Sequence, residues 1–115
     1  MKINITSVMV EDQDKALRSY TEILGFVKTV DIPVGEFKWL TVVSPEGPDD
    51  IELVLEPNSN PAVPVKVYQR ALFESGIPGI SFGVDDIHKE YARLTALGVV
   101  FTMELTVPPC LMTLR

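Results

Sequence analysis

The sequence is poor in the residues that most often carry chemistry. It has one cysteine, Cys110, and one histidine, His88. A single cysteine excludes an intrachain disulfide and any cysteine-built metal cluster. Cys110 reads as an ordinary thiol near the C-terminus rather than a nucleophile. His88, placed after the acidic pair Asp85-Asp86, reads as a surface residue with no nucleophile to pair with. Positive charge is also scarce: 10 Lys and Arg stand against 16 Asp and Glu, a net charge of -6 and a pI near 4.6. No basic stripe is present to release counterions from a phosphate backbone, so a nucleic-acid partner is not expected. No apolar run is long enough to cross a membrane. The opening MKINITSVMVEDQDK has no uninterrupted apolar stretch of signal-peptide length, so the expected location is the cytoplasm.

What is present is enough for a core. Hydrophobic residues make up 46% of 115 residues, which suits one globular domain. Ile3 to Val10 alternates and reads as a strand. Glu11, Asp12 and Asp14 then suit a helix start, Ala16, Leu17, Tyr20, Ile23 and Leu24 fall at helical spacing, and Gly25 suits its end. Phe26 to Ile32 predicts a second strand, Pro33-Val34-Gly35 a turn, Phe37 to Ser44 a third strand and Ile51 to Glu56 a fourth. The order is β-α-β-β-β.

The pattern then restarts. Ile77 to Val84 reads as a strand, Asp85 and Asp86 open a helix carrying Ile87, Tyr91, Leu94 and Leu97 on one face, and Gly98 ends it. Asp12 corresponds to Asp86, Lys15 to Lys89 and Thr21 to Thr95, an offset of 74. The Leu-Gly pair ending each helix comes one residue earlier in the second copy. Such a repeat means two copies of one supersecondary unit that bury a shared face. Module one takes residues 1–56. Residues 57–76 form a Pro/Asn-rich linker and a short helix, with Val67, Tyr68, Ala71 and Leu72 expected on one side. Residues 77–104 form a partial module two. The tail, 105–115, is atypical, because Pro108-Pro109 breaks any strand there.

Strand parity separates two faces. Val8, Val10, Leu40, Val42, Ile51, Leu53 and Leu55, with Ile80, Phe82 and Val84 of the second module, give an apolar face expected under the helices. The opposite parity gives Ser7, Met9, Trp39, Thr41, Glu52 and Val54, with Gly79 and Ser81 from the second module. Its mixture of polar, aromatic and small side chains suits a small-molecule cavity better than a solvated sheet face. Trp39 reads as core filler or as a stacking surface for a planar ligand. Glu56, near its strand end, reads as rim.

The two openings, "SVMVEDQDKALRSYTEILGF" and "GISFGVDDIHKEYARLTALGV", together with "IELVLEP", resemble the vicinal oxygen chelate superfamily, which includes glyoxalase I, extradiol dioxygenases and bleomycin-resistance proteins. The resemblance covers residues 1 to about 104. It implies an α+β fold of two βαβββ-type modules, a curved mixed sheet forming an open cup with helices outside. The second module here is expected to be incomplete. In metal-dependent relatives the ligands come from the first and last strands of each module. The matching first-strand residues are Ser7 and Gly79; glycine has no side chain to donate, and serine is a poor ligand for a divalent ion. Glu52 matches the family's fourth-strand glutamate. No metal or other cofactor is therefore expected, and Glu52 reads as a polar wall residue, as a general base if desolvated, or as inert.

The expected function is binding of a small molecule in the cup without a complete metal site. The alternatives are a metal-dependent lyase, isomerase or dioxygenase of the same superfamily, and a truncated form with no working site. A half-covered inner face and open strand edges lead to the expectation of a homodimer.

Overall fold

The computed structural model describes residues 1–59, 64–103 and 105. They divide into two compact units, one from Met1 to Ser75 and one beginning at Gly76.

The first unit holds β1 (Ile5–Val10), α1 (Gln13–Arg18), β2 (Val27–Val34), β3 (Phe37–Val43), β4 (Glu52–Pro57) and α2 (Val65–Glu74). The strands form one open mixed sheet in the order β1-β4-β3-β2. β1 runs parallel to β4, while β3 runs antiparallel to both β4 and β2. With α1 between β1 and β2, this is the β-α-β-β-β order that the sequence predicts, and the architecture is α+β.

The parity of β3 and β4 decides where the core lies. Leu40, Val42, Leu53 and Leu55 are all buried and alternate with residues of the opposite face. The core is smaller than the apolar parity set implies. Val8 and Val10 are only half-buried, and Ile51 is exposed because β4 begins one residue after it. β2 also runs further than predicted, through Pro33 and Val34, with the turn at Gly35 (φ 61°). Pro33 is tolerated because β2 is the edge strand, where a missing N–H leaves no ladder bond unmade.

α1 starts at Asp12, whose side chain accepts from the Lys15 N–H at 3.0 Å. The helix then widens into a π turn over Ser19–Ile23, closed by Leu24 N–H on the Ser19 carbonyl at 3.1 Å. The Tyr20 ring meets Phe26 edge-on at 5.6 Å, and burial pushes its phenol above its ordinary value. α2 docks onto the end of the sheet through Gln69, whose side chain donates to the Met9 carbonyl at 2.9 Å and accepts from Asn58 at 2.8 Å. Its buried residue is Val65, whereas Val67, Tyr68 and Ala71, expected on the packed side, are exposed.

In the second unit α3 (Ile87–Ala96) is capped by Asp86, which accepts from His88 and Lys89 N–H groups at 3.1 Å each. Leu94 is buried, and Tyr91 lies 4.5 Å from Phe101, centroid to centroid. Gly98 takes φ 89° just beyond the helix. The helices of the repeat correspond: Asp12 and Asp86 cap them, and Thr21 and Thr95 each donate to the carbonyl four residues back at 2.7 Å. The extra residue before Leu24-Gly25 is absorbed by the π turn, which α3 lacks.

The strand predicted over Ile77–Val84 does not form a ladder. In the first unit β1 is held by β4 running beside it; among the described residues no segment does this for 77–84, and Pro78, Gly79 and Gly83 weaken its intrinsic preference. Ile80 and Phe82 are half-buried and Val84 is exposed, so this part of the expected apolar face is not a sealed core. Phe101 makes an isolated bridge just beyond α3. Apart from Leu105, the tail of the second module lies outside the described residues.

Candidate functional site

The face of the sheet opposite Leu40 and Val42 carries the first unit's candidate residues together. Register places Ile5 beside Glu52, Ser7 beside Val54 and Met9 beside Glu56. Thr41 pairs with Val54 on the other side of β4, and Trp39 pairs with Ile32 of β2. Trp39 is 41% exposed. Its neighbours on this face toward the hairpin end, Ile32, Val34 and Phe37, are exposed as well. Val54 on this face is 2% exposed, and Thr41 is fully buried beside it. These two side chains form the floor, while Ser7 is exposed and Met9 and Glu56 are half-buried.

Glu52 is anchored. Its Oε1 lies 3.1 Å from the hydroxyls of both Thr29 and Thr41, and the two hydroxyls lie 2.7 Å from each other. Thr41 Oγ1 also accepts from the Val30 N–H at 3.1 Å. The bulge in β2 explains how Thr29 joins this group. The register of β2 against β3 shifts between Lys28 and Val30, leaving Thr29 as the extra residue and turning its hydroxyl onto Thr41. Sequence parity missed Thr29, since a bulge leaves no mark on an alternating pattern.

A second feature escaped the sequence. The ladder between β3 and β4 joins Thr41 to Val54 and Val42 to Leu53. Beyond it the carboxamide of Gln13, from α1, bonds both strands. Gln13 Nε2 donates to the carbonyls of Lys38 and Leu55 at 2.9 Å each, and its Oε1 accepts from the Lys38 N–H at 3.1 Å. The amide thus stands in for a stretch of ladder at the level of Trp39 and Glu56. Alongside it Lys38 Nζ bonds Asp14 Oδ1 at 2.8 Å, which holds the Asp14 carboxyl below its ordinary value and raises Lys38. A glutamine in a helix's first turn looks solvent-facing in sequence, and no signal there points to two strands.

Gly79 and Ser81 belong to the second unit, in the 77–84 segment, which is not assigned as strand. Both are exposed there, as is His88.

The residues at the family's metal positions do not fit a metal. Ser7 and Gly79 supply no strong donor. Glu52 is the one carboxylate at these positions, and its Oε1 is already within bonding distance of two hydroxyls. Among the described residues no three His, Cys, Asp or Glu side chains come together.

Fold and face together define an open mixed sheet that carries an exposed aromatic and an anchored carboxylate on one face. The family model for the glyoxalase/bleomycin resistance protein/dioxygenase superfamily matches residues 2–113, and the chain belongs to that superfamily. YurT of Bacillus subtilis (strain 168), an uncharacterized protein, is 55% identical over 106 residues, covering 92% of this chain and 82% of that one. Among solved structures, UcmS2 is 33% identical with a TM-score of 0.76, over 90% of this chain and 80% of that one. TnmS3 of Streptomyces sp. CB03234, an antibiotic binding protein, is 29% identical with a TM-score of 0.68, over 94% of this chain and 79% of that one.

Proposed function

We propose that this protein binds a small organic molecule on the open face of its sheet, without a metal and without turning it over. The observation that carries the reading is Trp39. It is a large aromatic, 41% exposed, on the same face as Thr41 and directly opposite the buried Leu40 side of the strand. An exposed indole beside a polar anchor is what a planar ligand needs: a surface to stack on and a group to orient it. The antibiotic-binding relative TnmS3 supports a ligand of antibiotic size. Ser7 and Met9 extend the floor along β1.

The same reading takes the chain as a cytoplasmic homodimer. Ile32, Val34 and Phe37 are exposed around Trp39, and each such side chain left in water forgoes about 1.5–3 kcal/mol of burial. Among the described residues no helix is long and apolar enough to cross a membrane. Sedimentation at micromolar concentration tests the dimer, and a monodisperse monomer would refute it.

Trp39 is the sole tryptophan, so its emission reports the site directly. Saturable quenching by planar aromatic antibiotics, in metal-stripped protein, supports the proposal. Silence across such compounds, with lyase or dioxygenase turnover appearing once zinc, nickel or manganese is added, would replace it with the metal-dependent reading.

A further inference from the structure

The geometry points to Glu52 as the residue that selects the ligand. Two threonine hydroxyls hold its carboxylate by one oxygen and leave the other to accept from an N–H group on a planar aromatic molecule lying against Trp39. This rests on the reading of the open face as a binding site and adds the chemistry of what binds there.

Three oxygens, of Thr29, Thr41 and Glu52, stand 2.7–3.1 Å apart in a triangle. Two hydroxyl protons serve its three edges, so Glu52 Oε1 receives one or two of them and is tethered in every arrangement. Thr41 is itself fixed, being fully buried and accepting from the Val30 N–H. Among the described residues Glu52 Oε2 takes no hydrogen bond, and the side chain is only half-buried. A carboxylate held at one oxygen has its other lone pairs pre-aimed, which removes the ordering cost a free glutamate would bear on binding. Carboxylate oxygens accept and never donate, so the complementary group is an N–H donor, and an amidine or protonated amine adds charge.

Position along the strand sets the rest of the ligand. Trp39 and Thr41 are two residues apart on β3, roughly 7 Å at strand rise. That is the width of a fused aromatic pair, so a ring stacked on Trp39 can carry its donor to the Glu52 end. The floor between them, Val54 and Thr41, is sealed and uncharged, while the half-buried Glu56 lies at the level of Trp39 on β4. The chain's net charge of -6 favours a cationic visitor over an anionic one.

The test uses three probes of one ring system, 2-naphthamidine, 2-naphthoate and 2-methylnaphthalene, with binding to the full chain measured by calorimetry. The amidine should bind about tenfold or more tighter than either of the others, the increment of one charged hydrogen bond. Glu52→Gln should remove most of that preference while leaving 2-methylnaphthalene unchanged, because the amide oxygen still accepts from the threonines and keeps the fold. Thr29→Val, at an exposed position, should weaken the amidine several-fold and the neutral ring not at all. Equal binding of all three probes, or a preference that survives Glu52→Gln, overturns the role of Glu52 alone. Binding of none of them overturns the open face as a site, and this inference with it.

Discussion

Thr41 lies diagonally across β3 and β4 from Glu52, and its hydroxyl approaches Glu52 Oε1 to 3.1 Å while accepting from the Val30 N–H. The same oxygen therefore binds the bulged edge strand to the candidate site. Thr41→Val keeps the shape and leaves a part-buried N–H without its acceptor, so it should cost about 1–3 kcal/mol. Thr41→Ser keeps the oxygen and loses a methyl, costing about 1 kcal/mol. Urea denaturation measures both. A valine variant as stable as the parent would mean that the Val30 N–H finds another partner.

Gln13 should matter more than its position in a helix's first turn suggests. Gln13→Ala removes the donor to two carbonyls and the acceptor for Lys38 N–H. The expected loss is about 1–3 kcal/mol, less if water enters the gap. Hydrogen exchange at the Lys38 amide should accelerate beyond that of amides in the intact ladder; an unchanged rate would show that the bridge is dispensable.

The two helix caps offer a paired comparison. Asp86 accepts from two N–H groups and Asp12 from one. Each aspartate changed to alanine should cost about 0.5–2 kcal/mol, with Asp86→Ala the more harmful in thermal unfolding. The reverse order would show that cap geometry is not what sets the difference.

These particulars show what the sequence carried. The caps, the repeat and the separation of Leu40 and Val42 from Trp39 and Thr41 follow from short-range rules of helix capping and strand parity, which need no knowledge of neighbours. Glu52 was placed by resemblance and by parity together. Thr29 and Gln13 were invisible because each acts through a departure from regular pairing, a bulge in one case and an interrupted ladder in the other. The one-residue shift between the repeats was visible, but only the backbone shows that a π turn takes it up. The 77–84 segment has a strand's alternation yet is not assigned as strand, because alternation alone does not supply a ladder.

The Asp14–Lys38 pair gives a pH signature with a defined sign. Lys38's hydrogen bond, then its charge, lowers the Asp14 carboxyl from 3.8. A folded value below the unfolded one stabilises the fold above the unfolded value, and that contribution is lost as pH falls through the depressed folded value. Both groups are solvent-exposed, so added salt should shrink the effect. In a carboxyl NMR titration Lys38→Met should return Asp14 toward its ordinary value; an unmoved titration would mean that the ion pair does not persist in solution.

The central claim is that the open face takes a planar organic ligand with no metal present, and the Trp39 indole N–H reads it most directly. The single tryptophan gives a single indole resonance in a nitrogen–proton correlation spectrum. Titration of chelator-treated protein with 2-naphthamidine should move that resonance saturably, with shifts in the Thr41 and Val54 amides and none required of added metal. An indole resonance that stays still through saturation, or moves only after a divalent metal is supplied, would contradict the account.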